Sequence, residues 1–221
     1  MNAYRVKSLD RRLYGLSVGL VEDNEDPGHE GRIKVRFPWL DDRTVSDWCR
    51  VCQPYAGNGY GVVLIPEVGD EVLLAFMHGD MAEPVVLGGL YNGTDQPPAH
   101  KDHAQQDQKL WRTKAGHQVL LDDGSSTRQV ALVTAGGHQV VLDDQHRQLA
   151  LTTAGGHAVT LDDQRGRIAI ETSAGLSVTL DDSGQQIELK AGAASITLGA
   201  TGSIKIQGTE VTVSAASIKL G

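Results

Sequence analysis

No stretch of this 221-residue sequence approaches the eighteen or so consecutive apolar residues of a membrane-spanning helix. Its first fifteen residues, MNAYRVKSLDRRLYG, lack the apolar centre of a secretory signal. The expectation is a protein made in the cytoplasm without a leader. Cysteine is almost missing. The pair Cys49 and Cys52 forms the one C-x-x-C, and its surroundings DWCRVCQP read as a strand. Residues three apart on a strand point to opposite faces, and no second Cys/His pair stands at metal-site spacing, so packing is expected rather than redox or metal chemistry. An excess of basic residues is also missing. Residues 1–100 carry 9 Lys/Arg against 15 Asp/Glu, and residues 101–221 carry 11 against 13. Neither half is built to neutralise a phosphate backbone.

Catalytic signatures are equally scarce. There is no nucleophile elbow, no His-Glu metal motif and no phosphate-binding loop. His78, Asp70 and Glu71 could be drawn together as an acid–base set, but each lies in a strand or turn context. The expectation is no enzymatic activity and no cofactor. Aromatic residues make up 5% of the chain, and after residue 92 only Trp111 remains. A core of large rings can therefore form in the first part alone. Between the two parts runs NGTDQPPAHKDHAQQDQK, Asn92 to Lys109, whose Pro97-Pro98 and polar run suit a linker.

What is present in quantity is repetition. AGGHQVVLDD, Ala135 to Asp144, returns nineteen residues later as AGGHAVTLDD, Ala154 to Asp163, with weaker copies at Ala115 to Asp123 and Ser173 to Asp182. A period near twenty marks units too small to bury their own apolar side, which must stack. Apolar pairs at i, i+2 resolve the repeat into single strands: Val119/Leu121, Val130/Leu132, Val140/Leu142, Leu149/Leu151, Val159/Leu161, Ile168/Ile170, Val178/Leu180, Ile187/Leu189, Ile196/Leu198, Ile204/Ile206, Val211/Val213 and Ile218/Leu220. Twelve strands are predicted. Their steps shorten from 11 residues to 7, which implies a taper.

Two inward side chains per strand cannot enclose a core, since burying each stabilises by about 1.5–3 kcal/mol only if something covers it. Three identical chains sharing one apolar axis supply that cover, with strand edges consumed by the partner chains. The expected trimer core includes Val119, Leu121, Val140, Leu142, Val159, Leu161, Val178, Leu180, Ile196, Leu198, Ile204, Ile206, Val211 and Val213. A rival reading is a calcium-binding β-roll, but the Gly-Gly turns recur only at every second strand and no Gly-x-Asp follows them. The Asp pairs 122–123, 143–144, 162–163 and 181–182 read as polar turn residues, and His117, His138 and His157 as solvent-facing turn residues.

The first part reads as short strands broken by Gly and Pro: GLSVGLVE, GRIKVRFPW, DWCRVCQP, YGVVLIP, EVLLAFM and PVVLGGLY. Such a run suggests a small closed barrel. The segments DPGHEGRIKVRFPWL (Asp26 to Leu40), WCRVCQPYAG (Trp48 to Gly57), GVVLIPEVGDEVLLAF (Gly61 to Phe76) and GDMAEPVVLGGLYNG (Gly79 to Gly93) resemble the OB-fold domain of baseplate assembly protein V and VgrG-type spikes of contractile injection systems. Cys49 and Cys52 stand where small residues are usual in that family.

The resemblance implies an all-β chain: an N-terminal extension over 1–12, an OB-fold barrel over 13–93, a linker over 94–110, and a trimeric, triple-stranded β-helix needle over 111–221. It implies a homotrimeric central spike at a phage tail, tailocin or injection-machine baseplate, driven into a target envelope by sheath contraction. A separate hub protein is expected at the N-terminal end and a conical PAAR-type cap at the C-terminal end. The cap would sit on Ser214, Ile218, Lys219, Leu220 and Gly221, as no His-x-His apex is present. The net charge of −6 in residues 1–100 argues against nucleic acid as a partner. The competing class is a secreted trimeric fibre or adhesin, against which the missing leader and the OB motifs weigh.

Overall fold

Alternation of buried and part-exposed positions organises the first unit, and β6 (Glu71–Phe76, EVLLAF) shows it most cleanly, with Val72, Leu74 and Phe76 buried and their neighbours part-exposed. The computed structural model describes residues 12–98 and 106–219. It divides after Pro97 into two units, each built from strands.

In the first unit, β1 (Ser17–Asp23), β2 (Lys34–Arg36), β3 (Arg50–Val51), β6 and β7 (Pro84–Gly89) form one sheet in the order β2-β1-β6-β7-β3. All pairs are antiparallel except β3 with β7. Reciprocal backbone bonds between Ile33 and Cys49, at 3.0 and 2.8 Å, join the two ends of that order and close the sheet into a barrel. Inside lie Val21, Ile33, Val35, Phe37, Cys49, Val72, Leu74, Phe76 and Val86. Gly19 has a packing reason: a Cβ there would stand 2.8 Å from Leu74 Cδ1 and 3.2 Å from the Arg36 carbonyl oxygen.

The turn DPGHEGR is wound around one carboxylate. Asp26 accepts hydrogen bonds from the amides of Gly28, Glu30 and Arg32 and from Nε and Nη2 of Arg32, all between 2.9 and 3.2 Å. The Arg32 guanidinium, with those amides, holds the Asp26 carboxyl well below the usual carboxylate range. The cysteines part as the strand geometry requires, Cys49 buried and Cys52 exposed. Cys49 Sγ donates to the Ile33 carbonyl at 2.9 Å, and burial pushes its thiol pKa up.

One strand expected here does not form. Of YGVVLIP only Tyr60–Gly61 (β5) is extended in a ladder, paired with β4 (Ala56–Gly57). Beyond it the Gln53 side chain takes the place of a partner strand, its Nε2 donating to the Leu64 carbonyl and its Oε1 accepting the Leu64 amide, at 3.0 and 3.2 Å.

The second unit is an eleven-stranded meander. It comprises β8 (Gln108–Arg112), β9 (Gln118–Asp122), β10 (Gln129–Val133), β11 (Gln139–Asp143), β12 (Gln148–Thr152), β13 (Ala158–Asp162), β14 (Arg167–Glu171), β15 (Leu176–Asp181), β16 (Gln186–Ala191), β17 (Ala194–Gly199) and β18 (Ile204–Gln207). Every strand pairs antiparallel with its neighbours in sequence.

Three expectations are corrected. First, each strand finds ladder partners within its own chain, because hairpin turns of two to six residues bring it back beside the last. Second, no strand forms around Val211/Val213 or at Ile218: steps of seven leave too little chain for a strand and a return turn, and Leu220 and Gly221 lie outside the described residues. Third, β8 was not foreseen, as QKLWR lacks the apolar i, i+2 pair.

Candidate functional site: an uncovered apolar face

The ladder registers place the repeat's apolar pairs on one side of the meander in two unbroken columns. Val119, Leu132, Val140, Leu151, Val159, Ile170, Val178, Leu189, Ile196 and Ile206 stand opposite one another in succession. Leu121, Val130, Leu142, Leu149, Leu161, Ile168, Leu180, Ile187, Leu198 and Ile204 make the second column. Directly opposed residues of an antiparallel pair share a face, so the stripe is continuous. Trp111, opposite Val119, extends the first column.

Nothing among the described residues of this unit covers the face. Leu132 is 48% exposed, Ile170 49% and Leu189 43%. The described residues of this unit that are buried are small or polar: Gly124, Ala131, Ala169, Asp122, Asp162 and Thr179. The opposite face grades from apolar to polar along its central column, from Leu110 and Leu120 through Ala150 and Thr160 to Glu188 and Lys205. Only the stripe stays apolar along the whole meander, while the small buried residues Ala131, Ala169 and Thr179 sit on the opposite face. Covering a half-exposed aliphatic side chain stabilises by roughly 1–2 kcal/mol, and the fifteen Leu and Ile and five Val of the stripe together outweigh the ordering of an assembly by a wide margin.

The turns that space the strands are made by side chains. In each AGGH turn a threonine four residues before the last position accepts an amide: Thr113 from His117, Thr134 from His138, Thr153 from His157 and Thr172 from Leu176, at 3.0 to 3.1 Å. Gly137 and Gly156 adopt φ of +85° and +83°, and a Cβ on either would meet the next turn at 3.4 Å. TAGGH contains Thr134 and Thr153 and TKAGH contains Thr113, each four residues before a histidine, and that constant distance was the signal; Thr172 stands four before Leu176 instead.

The histidines are exposed, as expected, but they also link turns. Nδ1 of His117, His138 and His157 accepts the amide of Ala135, Ala154 and Ser173, at 3.2, 3.4 and 3.3 Å. At the other ends of the strands the first aspartate of each pair turns onto its own loop. Asp122 accepts from Gly124 and Thr127, Asp143 from the amide and ring of His146, Asp162 from Arg165, and Asp181 from the Gly184 amide. The carboxyls of Asp122, Asp143 and Asp162 lie below their ordinary range, through the Gly124 amide, the His146 ring and the Arg165 amide respectively.

Among the expected cap residues, Ser214, Ile218 and Lys219 lie in an exposed, strandless segment, with Leu220 and Gly221 outside the described residues.

Comparison with known families decides what this face belongs to. Residues 17–91 match the type VI secretion system/phage-baseplate injector OB domain, and residues 148–220 match the phage baseplate V C-terminal trimerisation domain. The chain belongs to the baseplate V and VgrG spike family. Among similar proteins, the type VI secretion system spike protein VgrG3 of Vibrio cholerae is 34% identical over 110 residues, 46% of this chain and 11% of its own length. Spike protein VgrG2a of Pseudomonas aeruginosa is 32% identical over 112 residues, 47% of this chain and 13% of its own. The actin cross-linking toxin VgrG1 of Vibrio cholerae is 40% identical over 72 residues, 31% of this chain and 7% of its own. The matched region is thus about a tenth of the length of these relatives. The trimerisation domain spans the lower part of the uncovered stripe, from β12 to the end of the described residues.

Proposed function

We propose that three copies of this chain form the central spike of a contractile baseplate, with the two apolar columns turned to a common axis, and that the spike pierces the target envelope when the sheath contracts. The observation that carries the reading is the uncovered stripe coinciding with a trimerisation domain. A prism of three such ribbons buries its apolar faces together and keeps every ladder saturated, which makes it stiff along its length.

A hub protein joins the barrel end to the tail tube in this reading. A PAAR-type cap occupies the other end at Ser214, Ile218 and Lys219, where Val211, Val213 and Ile218 are more than half exposed and the backbone has no ladder of its own. Deleting residues 214–221 is expected to leave the trimer intact and remove the cap from a pull-down, and retention of the cap rejects the site. For the whole reading, contractile particles from the producing cell should carry the chain at the baseplate by immunogold labelling. Particles whose chain lacks 148–220 should contract without admitting dye through the target envelope. Intact sheathed particles devoid of the chain overturn it.

A further inference from the structure

The two long edges of the meander differ in chemistry. One edge holds the turns 113–117, 134–138, 153–157 and 172–175, with Lys114 and three histidines in the turns and Glu171, at the end of β14, as the carboxylate beside them. The other holds four Asp-Asp pairs against Arg128, Arg147 and Arg165. Of the second aspartates, Asp123 has Lys109 at 3.9 Å and Asp163 has Arg147 at 4.0 Å, and all four are exposed.

The histidine edge is also polarised in a definite sense. Because Nδ1 of His117, His138 and His157 accepts a backbone amide, the ring proton belongs on Nε2. Among the described residues no partner meets those Nε2 atoms, so each ring presents an outward donor.

The apolar columns leave one thing undetermined. Val, Leu and Ile recur at every strand, so sliding one copy along another by two strand spacings, about 9.6 Å, costs the apolar face little. Polar groups at repeat positions can fix such a register.

In a cyclic trimer with apolar faces inward, the histidine edge of each copy lies beside the aspartate edge of the next. This step rests on the trimeric reading above. Cyclic symmetry allows no axial shift, and turns on the two edges of one chain alternate strand by strand. A histidine turn therefore falls between two aspartate turns of its neighbour, about one strand spacing, roughly 4.8 Å, from each. We propose that His117, His138 and His157 donate through Nε2 to the aspartate turns of a second copy of this chain, meshing the edges and favouring the unshifted, cyclic arrangement over the slid alternatives that the apolar columns would tolerate.

Cross-linking tests it. In full-length chain carrying Cys52→Ser, with Cys49 left buried, His157→Cys and Asp163→Cys are introduced together. Within one chain they bracket five-residue β13 and stand roughly 20 Å apart, too far for a disulfide. Oxidation, or a short bis-maleimide, is expected to give covalent trimers on a boiled, non-reducing gel, while a pair on the same edge, His138→Cys with His157→Cys, gives none. A trimer by light scattering that yields no covalent product rejects the edge pairing and leaves the trimer standing. A monomer rejects both. Independently, His157→Glu should lower the temperature at which the trimer dissociates in SDS by clearly more than His157→Gln, which keeps a donor. Equal effects overturn the proposal.

Discussion

Val178 stands directly opposite Ile170 across β14 and β15 and opposite Leu189 across β15 and β16, so one side chain joins three strands of the uncovered stripe. Replacing it with aspartate would place three carboxylates around one axis, where desolvation and like charge both disfavour ionisation. Val178→Asp is expected to abolish soluble trimer in light scattering. Thr197→Asp, on the face where Glu188 already carries a carboxylate, should leave it intact. Equal behaviour of the two variants would mean the inward side has been misassigned.

The turn threonines give a second prediction. Thr134→Ala removes the acceptor of the His138 amide at 3.0 Å and should destabilise the meander by about 0.5–1.5 kcal/mol in denaturant unfolding. Thr134→Ser keeps the oxygen and should recover most of the loss. Amide exchange at His138 gives a local reading: a rate unchanged in the alanine variant would show that the bond contributes nothing.

The third concerns acid. Asp26 is held in its ionised form mainly by Arg32, so its folded pKa lies below the ordinary value near 3.8. The stabilisation it provides is fully present above that value and fades as pH falls through the depressed one. Asp26→Asn should therefore lower the barrel's thermal midpoint by several degrees, by a constant amount above about pH 4, with the gap to the unsubstituted protein closing at lower pH. A gap that widens on acidification would contradict the assignment.

The needle's strands were legible because each carries its own i, i+2 pair, and β9 to β18 contain every pair from Val119/Leu121 to Ile204/Ile206. The direction of pairing was not legible. A pattern of inward residues is the same whether the next strand comes from the same chain or another, and turn geometry decides between them. The barrel was readable through β6 and β7, which are short apolar runs between polar turns, and misread at Val62 to Pro66. There a single glutamine side chain satisfies the backbone, and sequence offers no sign that Gln53 and Leu64 meet. The histidines were placed correctly in turns, but their bonds to the following turn depend on two strand spacings bringing Ala135 beside His117, a distance that only the folded ladder supplies.

The neighbour-only order of the meander has a kinetic side. Each strand meets only the strand made just before it and the one made just after, so loops closed during folding are a few residues long and the entropic cost of each is small. A ribbon of this kind can zip up as the chain leaves the ribosome, in the sequence of synthesis, before another copy is encountered. The slow, concentration-dependent event is then the meeting of three preformed ribbons, and until it happens twenty aliphatic side chains face water. The same stripe that makes the finished assembly hard to take apart makes the newborn single chain the stage most exposed to aggregation.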